Sequence, residues 1–354
     1  MNNDIINRLQ AGCVIPAHPL ALETNGRIDV PRQRALTHYY LAAGAGGLAV
    51  GVHTTQFAIH DPKLGLLKPV LQLAAETARE HVEKTHQRRP IMIAGILGQT
   101  TQAVKEARLA RETGYHVGLL SLTALAGRPI EELIDHARSV AEVIPLMGFY
   151  LQQCISGMAL PQAFWRRFVE IENVVAIKIA PFSRYHTLDV LEAVAASGRA
   201  GEISLYTGND DNIVLDLLTN YRFTLDGKTV NLRMAGGLLG QWACWTRKAV
   251  EILERVQHIR ESGEPVPPEL LTLAGQLTLA NKAIFDADHS FAGCIPGILY
   301  VLKRQGILKN VHTLDPHEQL SPGQAEKIDR IILDHPHLTD DDFVRQNLSA
   351  WLSP

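Results

Sequence analysis

Short β-rich runs alternate with longer amphipathic runs from near residue 12 to near residue 256, and few folds accommodate that pattern. The apolar runs are Cys13–Pro16, Leu48–His53, Pro90–Ala94, His116–Ser121, Ile144–Leu151, Val174–Ile179, Ile203–Thr207 and Val230–Met234. Each is apolar enough to be buried on both faces, as parallel strands are. Between and after them, Arg32–Ala43, Val70–Lys84, Thr101–Thr113, Ile130–Val143, Pro161–Val169, His186–Ala196, Asp211–Asn220 and Leu238–Val256 repeat apolar residues at helical spacing. Eight strand–helix repeats predict an α/β chain of the (β/α)8 TIM-barrel class.

The pattern changes at Glu264-Pro265-Val266-Pro267-Pro268, after which only helical periodicity follows. A barrel over residues 1–262, with a short N-terminal helix, and a helical extension over 263–354 are therefore expected. The extension's helices are placed at Leu270–Ala287, Phe291–Gln305 and Pro322–Leu333, with the acidic Asp340-Asp341-Asp342 run as a solvated face.

Composition narrows the function. Hydrophobic residues make up 46% of the 354 and charged residues 20%, enough apolar material for a large core. Thirty-four basic against 37 acidic residues give a net charge of -3, which offers no electrostatic reason to expect nucleic acid or an anionic membrane as partner. The four cysteines lie far apart, as reduced thiols do, and no apolar run reaches the ~18 residues a spanning helix needs. The N-terminus carries acid where a signal peptide needs base. A cytoplasmic protein acting on a small molecule is the expectation.

Catalytic groups of such barrels sit at the C-terminal ends of strands. Lys178, in Asn173-Val-Val-Ala-Ile-Lys-Ile-Ala, shares a strand face with Val174 and Ala176. Lysine is seldom buried without a paired charge or a chemical task. Depressing an amine by ~3 pH units costs its charged form about 4 kcal/mol, and burial can supply that, leaving a neutral nucleophile. The competing reading is a lysine paired with a carboxylate or reaching to the rim. Tyr150 ends the preceding strand, where a phenol can shuttle a proton or simply pack. His53-Thr54-Thr55-Gln56 follows the second strand, where hydroxyls and N–H groups can bind a carboxylate or merely cap a loop.

Thr54-Thr55 after strand two, Tyr150 on strand five and Lys178 on strand six resemble the dihydrodipicolinate synthase and N-acetylneuraminate lyase superfamily over roughly residues 10–310. Supporting segments are Asp29-Val-Pro-Arg-Gln-Arg, Gly95-Ile-Leu-Gly-Gln-Thr-Thr and Gly208-Asn209-Asp210, the last similar to the family's Gly-Asp-Asp turn. The resemblance implies a Schiff-base lyase or aldolase acting on pyruvate or a related 2-oxo acid, and a homo-oligomer (dimer or tetramer); no cofactor or metal is expected. It makes Lys178 the imine former, Tyr150 the proton shuttle and Thr55 the relay. Thr54, His53, Gln56, Ile155, Gly208 and Asn209 are the corresponding substrate-binding candidates.

The chain also departs from the family. His53 takes the first position of the Gly-Thr-Thr-Gly-Glu motif, and Gln56-Phe57 replaces its end. Ile155 stands where the synthases have a carboxylate-binding arginine, and Leu119-Leu-Ser-Leu-Thr-Ala-Leu has no tyrosine to lend a neighbouring subunit. Both argue against lysine biosynthesis, whereas Ile155-Ser156-Gly157 is closer to the lyase branch. A sugar-acid dehydratase or hydratase using the same imine, and a non-catalytic sensor, stay open. His18 and Trp242 are further pocket candidates.

Three other signals are weaker. Gly44-Ala-Gly-Gly precedes a strand, so it does not suit a dinucleotide loop. Gly236-Gly237 and Gly240 can be read as a phosphate turn after strand eight or as ordinary turn residues. Fifteen histidines include no H-E-x-x-H pair.

Overall fold

The computed structural model describes residues 3–353. Its strands are β1 Val14–Pro16, β2 Gly47–Val50, β3 Ile91–Ile96, β4 Val117–Leu120, β5 Leu146–Leu151, β6 Val174–Ala180, β7 Ser204–Thr207, β8 Tyr221–Leu225, β9 Lys228–Leu232 and β10 Gly236–Leu239. Eight of them form one sheet in the order β1-β10-β7-β6-β5-β4-β3-β2, while β8 and β9 form a separate hairpin. Parallel strands alternating with helices in chain order make this the expected (β/α)8 class. The chain divides into two compact units, Met1–Cys13 with Ile91–Leu238, and Val14–Pro90 with Leu239–Pro354.

In the first unit β3 to β7 pair in sequence order and β10 pairs with β7. Most of their residues are apolar, and both faces of these strands are buried. The helix Ile130–Ala141 shows why its neighbours form too. Glu131 and Glu132 occupy the first turn, where the helix dipole favours acids, and Leu133, Ile134, Ala137 and Val140 make one buried stripe.

The eighth strand corrects the sequence reading. Most of Val230–Met234 belongs to β9, which pairs antiparallel with β8 through a two-residue turn, Asp226-Gly227, with φ of 48° and 74°. The strand that pairs with β7 is instead the glycine-rich β10. A Cβ at Gly236 would stand 2.3 Å from the Cys13 carbonyl oxygen and 3.0 Å from the Tyr206 ring, so the close approach requires glycine. Because glycine disfavours strands, composition hides this one. Gly236 and Gly237 are thus strand residues and not a phosphate-binding turn, and the helix placed at Leu238–Val256 runs Thr246–Ser262.

In the second unit Asp29 caps the helix Val30–Ala42 by accepting from the Arg32 N–H, with Pro31 in its first turn. Three of the expected C-terminal helices are present as Pro268–Ile284, Cys294–Arg304 and Gln324–Asp334. The acidic run is a second correction. Asp340 is buried, and its carboxylate accepts from the Tyr39 hydroxyl (2.8 Å), the Arg247 N–H (3.0 Å) and the Gln305 amide (2.8 Å). Asp341 and Asp342 open a further helix, Asp341–Leu352, whose Trp351 ring packs 5.6 Å from that of Tyr39.

Candidate functional site

β6 reads Val174-Val-Ala-Ile-Lys-Ile-Ala, and its only polar residue, Lys178, is just 7% exposed. Its ladder partners are Phe149 on β5 and Tyr206 on β7. Residues opposite one another in a parallel ladder share a face, and the Lys178 amine stands 4.4 Å from the centre of the Phe149 ring. Gly208 follows β7 and lies against the lysine stem; a Cβ there would sit 2.8 Å from Lys178 Cε and 3.2 Å from Cγ. Burial drives the amine down from the ordinary 10.5 to about 8, against the opposing pull of the Asp210 carboxylate.

Tyr150 is paired with Ile179 and therefore projects from the other face of the ladder. Its ring lies 5.4 Å from that of Trp165 and stacks 5.7 Å from His186, and its hydroxyl accepts from the Leu160 N–H at 3.3 Å. The sequence correctly makes the two strands adjacent, but the aromatic ring beside the lysine is Phe149. Ile155 is half-buried in the short helix Gln153–Ser156 that follows β5.

Asn209 is fully buried and committed to holding loops together. Its Oδ1 accepts from the Phe182 N–H (3.0 Å), and its Nδ2 donates to Thr187 (3.2 Å) and Asp216 (2.9 Å). Phe182, four residues past Lys178, has a φ of 54°, a left-handed conformation that this bond helps to hold. Asp216 also accepts from Thr207 (2.7 Å), Asn212 (2.7 Å) and Arg184 (2.8 Å). Asp216 and Phe149 escaped the sequence reading, which named Asp210 only as part of Gly208-Asn209-Asp210.

His53, Thr54, Thr55 and Gln56 belong to the second unit, in the tight turn after β2. The Thr54 hydroxyl donates to the Ala17 carbonyl (2.7 Å) and that of Thr55 to the His18 carbonyl (2.6 Å). Thr55 Oγ1 also accepts from the N–H groups of Gly51 (3.0 Å) and Val52 (3.2 Å). Gln56 has a φ of 69°, a backbone conformation that favours glycine, and its Oε1 accepts from the Leu314 N–H at 2.5 Å. The His53 ring meets that of Phe57 edge-on at 5.5 Å.

His18 is enclosed within this unit. Its Nε2 lies 2.9 Å from Thr37 Oγ1 and its Nδ1 3.1 Å from Gln33 Nε2, and burial lowers it from 6.5 to about 4. It acts as a neutral bracket between a strand end and a helix. Trp242 is likewise core. Among the described residues, no group of three or more His, Cys, Asp or Glu is arranged to hold a metal, and no helix is long and apolar enough to cross a membrane.

Comparison with known proteins places the chain by family and by fold. The 4-hydroxy-tetrahydrodipicolinate synthase of Aromatoleum aromaticum is 31% identical over 192 residues, 53% of this chain and 60% of that protein. The same enzyme from Azoarcus sp. is 29% identical over 202 residues, 56% and 63% of the two chains. The matches thus span less than two thirds of those relatives. Among solved structures, N-acetylneuraminate lyase from Fusobacterium nucleatum superposes with a TM-score of 0.70 over 94% of this chain and 100% of its own, at 15% identity. A prophage protein of the dihydrodipicolinic acid synthase family from E. coli K12, solved with pyruvate, gives 0.70 over 90% and 97%, at 18% identity. Those two likenesses establish the fold. The model of the dihydrodipicolinate synthetase family matches residues 10–220, and the chain belongs to that family.

Proposed function

We propose that the chain is a lyase of the aldolase type in which Lys178 forms an imine with a 2-oxo acid. The observation that carries this reading is the buried amine of Lys178 at about 8. About a tenth of such an amine is neutral at pH 7, against ~0.03% at its ordinary value. The Nζ lone pair adds to the C2 carbonyl, and the resulting carbinolamine loses its hydroxyl with a proton as water, leaving a protonated imine. When the C3–C4 bond of a 4-hydroxy-2-oxo acid breaks, the C4 hydroxyl gives up its proton and C4 leaves as an aldehyde, while the bond's electron pair enters the imine and forms an enamine. Protonation at C3 and hydrolysis then release the 2-oxo acid and free the amine.

The Ile155 position, apolar where an arginine would bind a second carboxylate, supports an acceptor other than that of the synthases. The reading carries with it a homo-oligomer, which sedimentation measures directly. The test of the chemistry is borohydride treatment with and without pyruvate, followed by peptide mass spectrometry. A pyruvate-dependent adduct on Lys178, absent in Lys178→Ala, is expected. No adduct with pyruvate or any other 2-oxo acid would overturn the reading.

A non-catalytic binding barrel is the second reading, and two observations favour it. Tyr150 turns away from the lysine face, and the Thr54 and Thr55 hydroxyls already donate to backbone carbonyls. Saturable 2-oxo acid binding without any borohydride adduct is its signature.

A further inference from the structure

The Lys178 side chain is held by both neighbouring strands of its own unit. From β5, Phe149 presents its ring to the ammonium at 4.4 Å, within the range at which an aromatic face attracts a cation. From the end of β7, Gly208 gives the aliphatic stem a flat surface that any side chain would destroy. Phe149 is only 5% exposed, so little water competes with its ring for the amine. The register Phe149–Lys178–Tyr206 runs straight across the three strands, so this contact is set by backbone pairing and not by chance rotamers.

Resting on the imine reading above, we propose that Phe149 is a positioning residue: its ring face carries the Lys178 amine, and Gly208 under the stem fixes where that amine stands. A ring face favours the charged form, whereas the exclusion of water favours the neutral one. Phe149 does both, and the two effects separate by substitution. Leucine keeps the apolar volume but loses the quadrupole. Alanine opens a cavity that water can enter. Tyrosine keeps the ring face.

The other groups that act on the amine are few in this unit. Asp210, in the turn after β7, pulls toward the charged form. Tyr206 on β7 donates its hydroxyl proton to the Leu9 carbonyl (2.9 Å), with the Cys13 thiol 3.6 Å away. Burial raises both of these groups, so they remain neutral. On β5, Tyr150 faces the other side of the ladder.

The experiment is competitive labelling of the intact protein with acetic anhydride between pH 6 and 11, read at Lys178 by peptide mass spectrometry. It reports the amine's titration without any 2-oxo acid. The wild-type midpoint is expected at about 8. Phe149→Leu should lower it by about half to one pH unit, and Phe149→Tyr should restore it. Phe149→Ala should move it the other way, toward 10.5. Gly208→Ala, which displaces the stem, should slow labelling at every pH. A Phe149→Leu midpoint equal to wild type, or Leu and Tyr variants that move together, would overturn the proposal. Pyruvate trapping is run in parallel: expected midpoints without trapping would sink the imine and leave Phe149 in place, while trapping with unmoved midpoints would do the reverse.

Discussion

Phe149 and Lys178 are direct partners in the β5–β6 ladder, whereas Tyr150, one residue further on, pairs with Ile179. One residue of register decides which aromatic ring meets the lysine, because side chains alternate between the faces of a strand. Several consequences of this geometry are open to measurement.

The rate of pyruvate trapping should rise about tenfold per pH unit below the amine's midpoint and level off above about pH 8, where the neutral form predominates. Stopped quench with borohydride at a series of pH values measures it. A plateau reached only near pH 10.5 would mean that burial does not depress the amine.

Lys178→Met should stabilise the protein at pH 7. The folded-state value lies below the unfolded one, so the unfolded chain binds more protons between about 8 and 10.5. The penalty of burying the charge is therefore fully present below pH 8, at most about 3 kcal/mol, and fades as pH rises toward 10.5. Urea denaturation of both proteins at pH 7 and pH 10 should show the variant's advantage shrinking.

Tyr150→Phe should leave most of the trapping rate intact, since the phenol points away from the lysine face. The Leu160 N–H loses its acceptor, at a cost of about 1 kcal/mol in unfolding free energy. A hundredfold loss of trapping in a stable variant would restore Tyr150 to a chemical role.

Asp216→Ala strands Thr207, Asn209, Asn212 and Arg184 together and should cost about 3 kcal/mol or more. With Asn209 loosened, the left-handed turn at Phe182 loses a support, so trapping should also slow in whatever fraction stays folded. Thermal melts and trapping on the same sample separate the two effects.

At position 56 the usual order of residues should invert. Gln56→Gly and Gln56→Ala both lose the bond to the Leu314 N–H, but only glycine accepts a φ of 69° without strain. The glycine variant should be the more stable by about 1 kcal/mol, as chemical denaturation can show.

The repeat of strands and helices, the fold class and the identity of the buried lysine were all legible in residue order, because burial on both faces and helical periodicity are local properties. Asp29 before Pro31 marked a helix start for the same reason. Gly236 shows where local reading stops: it looks like a turn residue until the approach of Cys13 and Tyr206 makes it the only residue that fits a strand. Asp340 looks like solvated acid until Tyr39, some 300 positions earlier, closes on it. Which side of the ladder Tyr150 takes, and that Phe149 stands under the amine, depends on the register between two strands. No single strand encodes that register, and only the packed sheet decides it.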